Sequence, residues 1–233
     1  MHYVKQLTTP STQEQNTAAI SEGRPKRSVA SSKLWENAST LKISFMPEVP
    51  NELRYRIERV IRQWEPFISL AIELVDDGEG DIRIAVGSKQ SESMVGTDAL
   101  RADKKTATLK IAVKPDDSDF DRTMLHEFGH ALGFQHAHLH PEANIQWNKP
   151  AIYKYFTESH GWSNKDVDRN LFYINEWMII YGTYDKDSIM HYQIASFMTR
   201  NNWETGINQT LSEGDKAFAR AIYPPIDYGD LSI

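Results

Sequence analysis

Eleven residues carry most of the chemistry this sequence can do: His126-Glu127-Phe128-Gly129-His130-Ala131-Leu132-Gly133-Phe134-Gln135-His136. Two histidines four apart on a helix share one face, so His126 and His130 can each turn a ring nitrogen towards a single metal ion. Glu127 is displaced from His126 by about 100° around the helix. Its carboxylate then stands beside the ion, within reach of a bound water and without being a ligand. Two protein ligands are too few for zinc, and a straight helix would carry the chain away. Gly133 supplies the bend, because glycine accepts the left-handed conformation that ends a helix. The chain can then fold back and offer His136 as third ligand. Three protein ligands leave a coordination position for water, which marks a catalytic rather than a structural site. The spacing therefore predicts one zinc ion per chain, held by His126, His130 and His136, with Glu127 as catalytic base. A match at all five fixed positions arises by chance in roughly one chain in ten thousand or fewer at this length.

These residues need a scaffold, and hydrophobic periodicity supplies its outline. A helix is predicted from Asp119 or Asp121, either of which could cap it, to Leu132. Upstream, Leu41, Ile43 and Phe45 alternate with polar residues as a half-buried strand does. Pro50-Asn51 opens a helix in which Leu53, Ile57, Val60, Ile61 and Trp64 recur at helical spacing. Residues 68–75, 81–86 and 106–113 read as further strands, the first two separated by the turn Asp76-Asp77-Gly78. Beyond His136 the strand pattern fades. Asn148-Lys149-Pro150 and Ser163-Asn164 look like starts of short helices, and Ser212 with Asp215 forms a capping box opening a last helix that ends near Tyr223. Residues 1–32 lack apolar periodicity and read as a flexible tail or pro-like segment, with Arg24-Pro25-Lys26-Arg27 a solvated basic stretch that also resembles a basic-residue processing site. The catalytic body is expected over 33–233, with an upper lobe to about residue 136 and a lower lobe after it.

Composition bounds the rest. The 233 residues are 40% hydrophobic, enough for one large domain or two lobes around a cleft. The net charge of −6 has no basic face and argues against a nucleic-acid partner. There are no cysteines, so disulfides and thiolate metal sites are excluded. The opening MHYVKQLTTP is followed by no apolar run of signal-peptide length, and no stretch is long enough to span a membrane. The expectation is a soluble monomer whose compartment stays open, export as a bacterial effector being compatible with it.

Downstream lies Asp187-Ser188-Ile189-Met190-His191-Tyr192. With the histidine motif, it makes the chain resemble the metzincin metallopeptidases, whose signature includes a methionine-bearing turn after the zinc helix. The resemblance is greatest to the astacin branch, where the turn reads Ser-(Ile/Val)-Met-His-Tyr, and serralysins are close to it. Met190 follows His136 by 54 residues, a spacer that suits astacins better than matrixins. The resemblance spans about Lys33 to Pro224. It implies an α+β, two-lobed catalytic domain: a twisted, mostly parallel sheet with an antiparallel edge strand and two long helices above, and an irregular, mostly helical lobe below. It implies Met190 as an apolar floor under the three imidazoles and Tyr192 as a catalytic residue that stabilises the oxyanion. It also implies a zinc endopeptidase acting on protein or peptide substrates, with the edge strand around Leu109 to Val113 adding an extended peptide. A zinc amidase acting on non-protein amides would share the site, and a zinc-binding module without catalysis is the other alternative. Astacins place a glutamate after the third histidine to tie down the mature N-terminus, and this chain has Ala137. His138 and His140 read as a polar loop leaving the site, and His2, His160 and His191 as further polar positions.

Overall fold

The computed structural model describes residues 29–31, 33–76, 78–173 and 179–225. Its centre is a five-stranded sheet in the order β3-β2-β4-β6-β5. Strand β2 is Thr40–Phe45, β3 Ala71–Leu74, β4 Ile82–Val86, β5 Glu92–Ser93 and β6 Leu109–Ile111. Strands β2, β3, β4 and β6 run parallel, and β5 lies antiparallel to β6. The predicted alternation holds over the first half of β2, where Leu41 and Ile43 are buried and Thr40 and Lys42 face solvent, but Ser44 is buried together with Phe45, so the second half is covered on both faces. Ile82, Ile84, Leu109 and Ile111 complete the buried sheet surface.

One strand expectation is corrected. The segment around Leu109 to Val113 is not the sheet edge, because β6 is hydrogen-bonded on one side to β4 and on the other to β5. The edge on that side is β5, whose two residues are too few to show any period in sequence.

Helix α1 (Asn51–Ile61) buries Ile57, Val60 and Ile61 and tightens into a 3₁₀ turn over Arg62–Phe67 that buries Trp64. Helix α2 (Phe120–Ala131) packs against α1 and against β5 and β6. Asp119 occupies its N-cap position without a side-chain cap bond. Its carboxylate instead pairs with Arg122 at 3.3 Å, and Asp121 pairs with Arg56 at 2.8 Å.

The lower part holds α3 (Lys149–His160), the short α4 (Asn164–Val167) continuing into a π turn over Asp168–Phe172, and a 3₁₀ turn over Ser196–Met198. The final helix, α5 (Glu213–Ile222), opens on the predicted Ser212/Asp215 capping box. Its buried face sends Phe218 and Ala219, followed by Tyr223, into the larger core, so the chain returns to the upper lobe at its end. A second, smaller core gathers Ile152, Phe156, Trp162, Val167, Leu171, Tyr192, Ile194 and Met198.

Residues 1–28 of the expected tail lie outside the described residues. Val29–Ser31 within that segment form β1, antiparallel to β7 (Ile179–Tyr181). Main-chain pairing needs no side-chain period, so neither strand shows as a pattern in the sequence.

Candidate metal and catalytic site

The site grows from the end of α2. Gly133 has φ +99°, and its N–H donates to the His130 carbonyl at 2.8 Å. The Phe134 N–H donates to the Gly129 carbonyl at 2.9 Å. This pair of bonds is a Schellman stop, which requires the left-handed residue that glycine accepts. A side chain at Gly133 would also meet Leu34 Cδ2 at 2.9 Å. The chain therefore reverses after one turn and brings His136 back over the helix end, as its spacing predicted.

His126, His130 and His136 are all buried, and their candidate ligand atoms lie within 4.8 Å of one another. Main-chain carbonyls set two of the rings. His126 Nδ1 lies 2.8 Å from the Ile189 carbonyl, and His130 Nδ1 lies 2.8 Å from the Phe134 carbonyl. A carbonyl only accepts, so each Nδ1 carries its ring's proton and each Nε2 presents a lone pair. Nε2 of His130 and His136 approach to 3.0 Å, while Nε2 of His126 is buried with no hydrogen-bond partner among the described residues. Burial draws the pKa of His126 and His136 well below the ordinary imidazole value and that of His130 down to about 4. Neutral imidazoles with converging lone pairs are the donor set that zinc takes. The residues fit the ion.

Glu127 is fully buried, and neither carboxylate oxygen has a hydrogen-bond partner among the described residues. Burial pushes its carboxyl well above the usual carboxylate range and nearby Glu92 adds to this, while Arg122 opposes. A dication alongside would pull the other way.

The methionine turn closes the site from below. The Ala137 N–H donates to the Met190 carbonyl at 3.0 Å, tying the segment after the third histidine to the turn. Asp215, at the start of α5, holds the turn from behind: its carboxylate accepts from Ser188 Oγ at 2.5 Å, Ile189 N at 2.7 Å and Ser212 N at 2.9 Å. Burial raises the Asp215 carboxyl against these bonds. Met190 packs into α2 at Gly129, where an added Cβ would stand 2.4 Å from Met190 Sδ. Tyr192 stands against the histidine rings, its ring centroid 4.1 Å from that of His136 and 6.3 Å from that of His126.

Three contributors escape a reading of the sequence. Gly129 carries a visible signal, since glycine inside a helix is destabilising and asks for a packing reason. Asp215 is legible as a cap but not as the support of the turn. His138 reads as part of a polar loop, yet it is buried against Tyr192 with ring centroids 4.7 Å apart. His140 and His191 are buried too. The Nδ1 of His140 accepts from Glu142 N at 3.0 Å, and Nε2 of His191 lies 3.0 Å from the Tyr184 hydroxyl. The tie between Ala137 and Met190 draws this loop inward, a consequence of tertiary contact that spacing could not reveal. His160 stays exposed at the end of α3, and His2 lies outside the described residues.

Among the described residues no helix is long and apolar enough to cross a membrane. No curated protein matches the chain significantly. Among solved structures it is similar to two of myroilysin. One is 35% identical with a TM-score of 0.79, covering 85% of this chain and 99% of that one. The other is 34% identical with a TM-score of 0.62, covering 83% and 87%. The fold is also that of high choriolytic enzyme 1, a hatching enzyme zinc-protease from the medaka fish Oryzias latipes, at 18% identity, a TM-score of 0.56 and coverage of 82% and 94%. The model of the astacin peptidase family matches residues 28–217, which take in the sheet, the histidine helix, the methionine turn and the start of α5. By that match this chain belongs to the astacin family and is a zinc metalloendopeptidase.

Proposed function

We propose that the chain cleaves peptide bonds as a monomer, with Glu127 moving the proton and Tyr192 stabilising the oxyanion. His126, His130 and His136 would hold the zinc, which when bound acidifies a water and polarises a carbonyl. Glu127 takes a proton from the attacking water at its carboxylate and delivers it to the leaving amine, acting as base and then as acid. Its burial beside the three imidazoles, with neither carboxylate oxygen bonded to a described residue, supports this role, because both oxygens are available to a water at the metal. The Tyr192 hydroxyl donates to the oxygen on which negative charge builds. An extended peptide adds antiparallel to the edge strand β5, whose Glu92 lies close enough to Glu127 to influence its protonation. All five side chains come from one chain, so this reading needs no residue from a second copy.

The observation that carries this reading is the position of Glu127, buried beside the three converging imidazoles yet outside the ligand set. The test is Glu127→Gln. Metal analysis should find about one zinc per chain in both proteins, while kcat on a peptide library falls by about a hundredfold or more. The wild-type activity should vanish with a chelator. A variant that kept the wild-type kcat, or lost its zinc, would show that Glu127 has another role.

A further inference from the structure

We propose that His138 is a positioning residue for Tyr192, acting through the plane of its ring and not through its nitrogens. The proposal rests on the reading of Tyr192 as the oxyanion donor. The centroids of Tyr192, His136 and His138 form a triangle with sides of 4.1, 4.7 and 5.3 Å. The Tyr192 plane is inclined by 31° to His136 and by only 19° to His138. The phenol therefore stacks on the imidazole of His138 and stands tilted against that of His136. His138 is itself held edge-on by Trp147 at 6.1 Å and by His191 at 6.0 Å.

The nitrogens of His138 tell against a polar role. Both are buried, and neither makes a hydrogen bond among the described residues. The Leu171 main chain offers the ring only a loose backbone contact that favours its charged form, and neither nitrogen is bonded to Tyr192. Leaving two polar atoms unsatisfied in the interior is unfavourable. What the residue contributes is a flat surface against Tyr192, an arrangement in which aromatic rings attract one another. Tyr192 lies two residues beyond the methionine of the turn, and this surface fixes where its hydroxyl stands relative to the three histidines.

Four variants test this on one peptide substrate: His138→Ala, His138→Phe, Tyr192→Phe, and His138→Ala combined with Tyr192→Phe. Zinc content and thermal melting of each allow kcat to be expressed per folded, metal-loaded molecule. If His138→Ala melts below the assay temperature, His138→Leu, which keeps volume without a ring, replaces it. His138→Ala should lower kcat by about tenfold with KM changed by less than about twofold, because a hydroxyl contacting the oxyanion acts in the transition state. His138→Phe should recover most of that loss. In the Tyr192→Phe background His138→Ala should cost less than about twofold, since the hydroxyl it positions is already gone. An unchanged kcat in His138→Ala, a His138→Phe enzyme as poor as His138→Ala, or an equal loss in both backgrounds would each overturn the proposal while leaving Tyr192 in its role. Tyr192→Phe with undiminished kcat would overturn both.

Discussion

The two cores of this protein are built in different ways. The larger is mostly aliphatic and layered: Ile43, Ile82, Ile84, Leu109 and Ile111 from the sheet face Ile57, Ile61, Met124 and Leu125 from the helices. Its backbone groups are satisfied by strand ladders and helix bonds. The smaller core is ring-rich, with Phe156, Trp162 and Tyr192 inside and Trp147, Phe172 and Trp203 packed around them. Side-chain bonds to the main chain substitute for ladders there. Thr205 Oγ1 accepts from Ile194 N at 2.9 Å and donates to the Tyr192 carbonyl at 3.1 Å, and Thr199 Oγ1 donates to the Trp203 carbonyl at 2.7 Å. The seam between the two runs through the methionine turn, because Met190 belongs to the large core and Tyr192 to the small one. A regular core can place the three histidines on and after a rigid helix, while the irregular one brings up Tyr192, the proposed oxyanion donor.

This contrast can be tested by damaging each side and the seam. The largest effect is expected from Phe156→Ala, which removes a fully buried ring from the small core and should cost about 3–5 kcal/mol in chemical denaturation. Amide exchange should then quicken first in α3 and around residues 194–199, with β2 and β4 still protected. Equal loss of protection in both lobes would mean that the two cores behave as one cooperative unit. Asp215→Ala acts at the seam. It strips three hydrogen bonds from a buried carboxylate and leaves Ile189 N and Ser188 Oγ without that acceptor, at about 2–3 kcal/mol. Urea denaturation reads the stability, and a parallel fall in kcat/KM reads the loosened turn. Loss of stability with kcat/KM intact would detach the turn's position from catalysis.

The smallest effect, and the most diagnostic in sign, is Gly129→Ala. In an ordinary helix interior this change gains up to about 1 kcal/mol. Here the new methyl meets Met190 Sδ and lies 3.3 Å from Trp64 Cζ2. Overpacking of that kind costs about 1–3 kcal/mol, so the net result should be a loss of up to about 2 kcal/mol. Pairing it with Met190→Val should recover part of the loss. A Gly129→Ala protein more stable than wild type would mean that Met190 moves aside without cost and does not couple the turn to α2.

The catalytic helix is the most legible part of the chain because its geometry is local. Four-residue spacing on α2 and one glycine at the helix stop settle where His126, His130 and His136 can meet, and the alternation in β2 is equally local. Legibility falls where a contact joins distant segments through the main chain or through shape. Strand β5 has two residues and no period, so the sequence points to β6 as the edge instead. β1 and β7 pair across about 150 positions of sequence by backbone bonds that any residue can make.

The spacing of residues 126–136 thus determined the three-histidine set and the neighbouring carboxylate proposed as base, and the six residues from Asp187 to Tyr192 determined the family's turn. Only the tertiary structure decided that Asp215 supports that turn, that Gly129 makes room for Met190, and that His138 is buried against Tyr192. The physical reason is one of range. Helix and strand periods act over a few residues and are written in residue order, whereas Ser188 and Asp215, 27 positions apart, become partners only once both cores have formed.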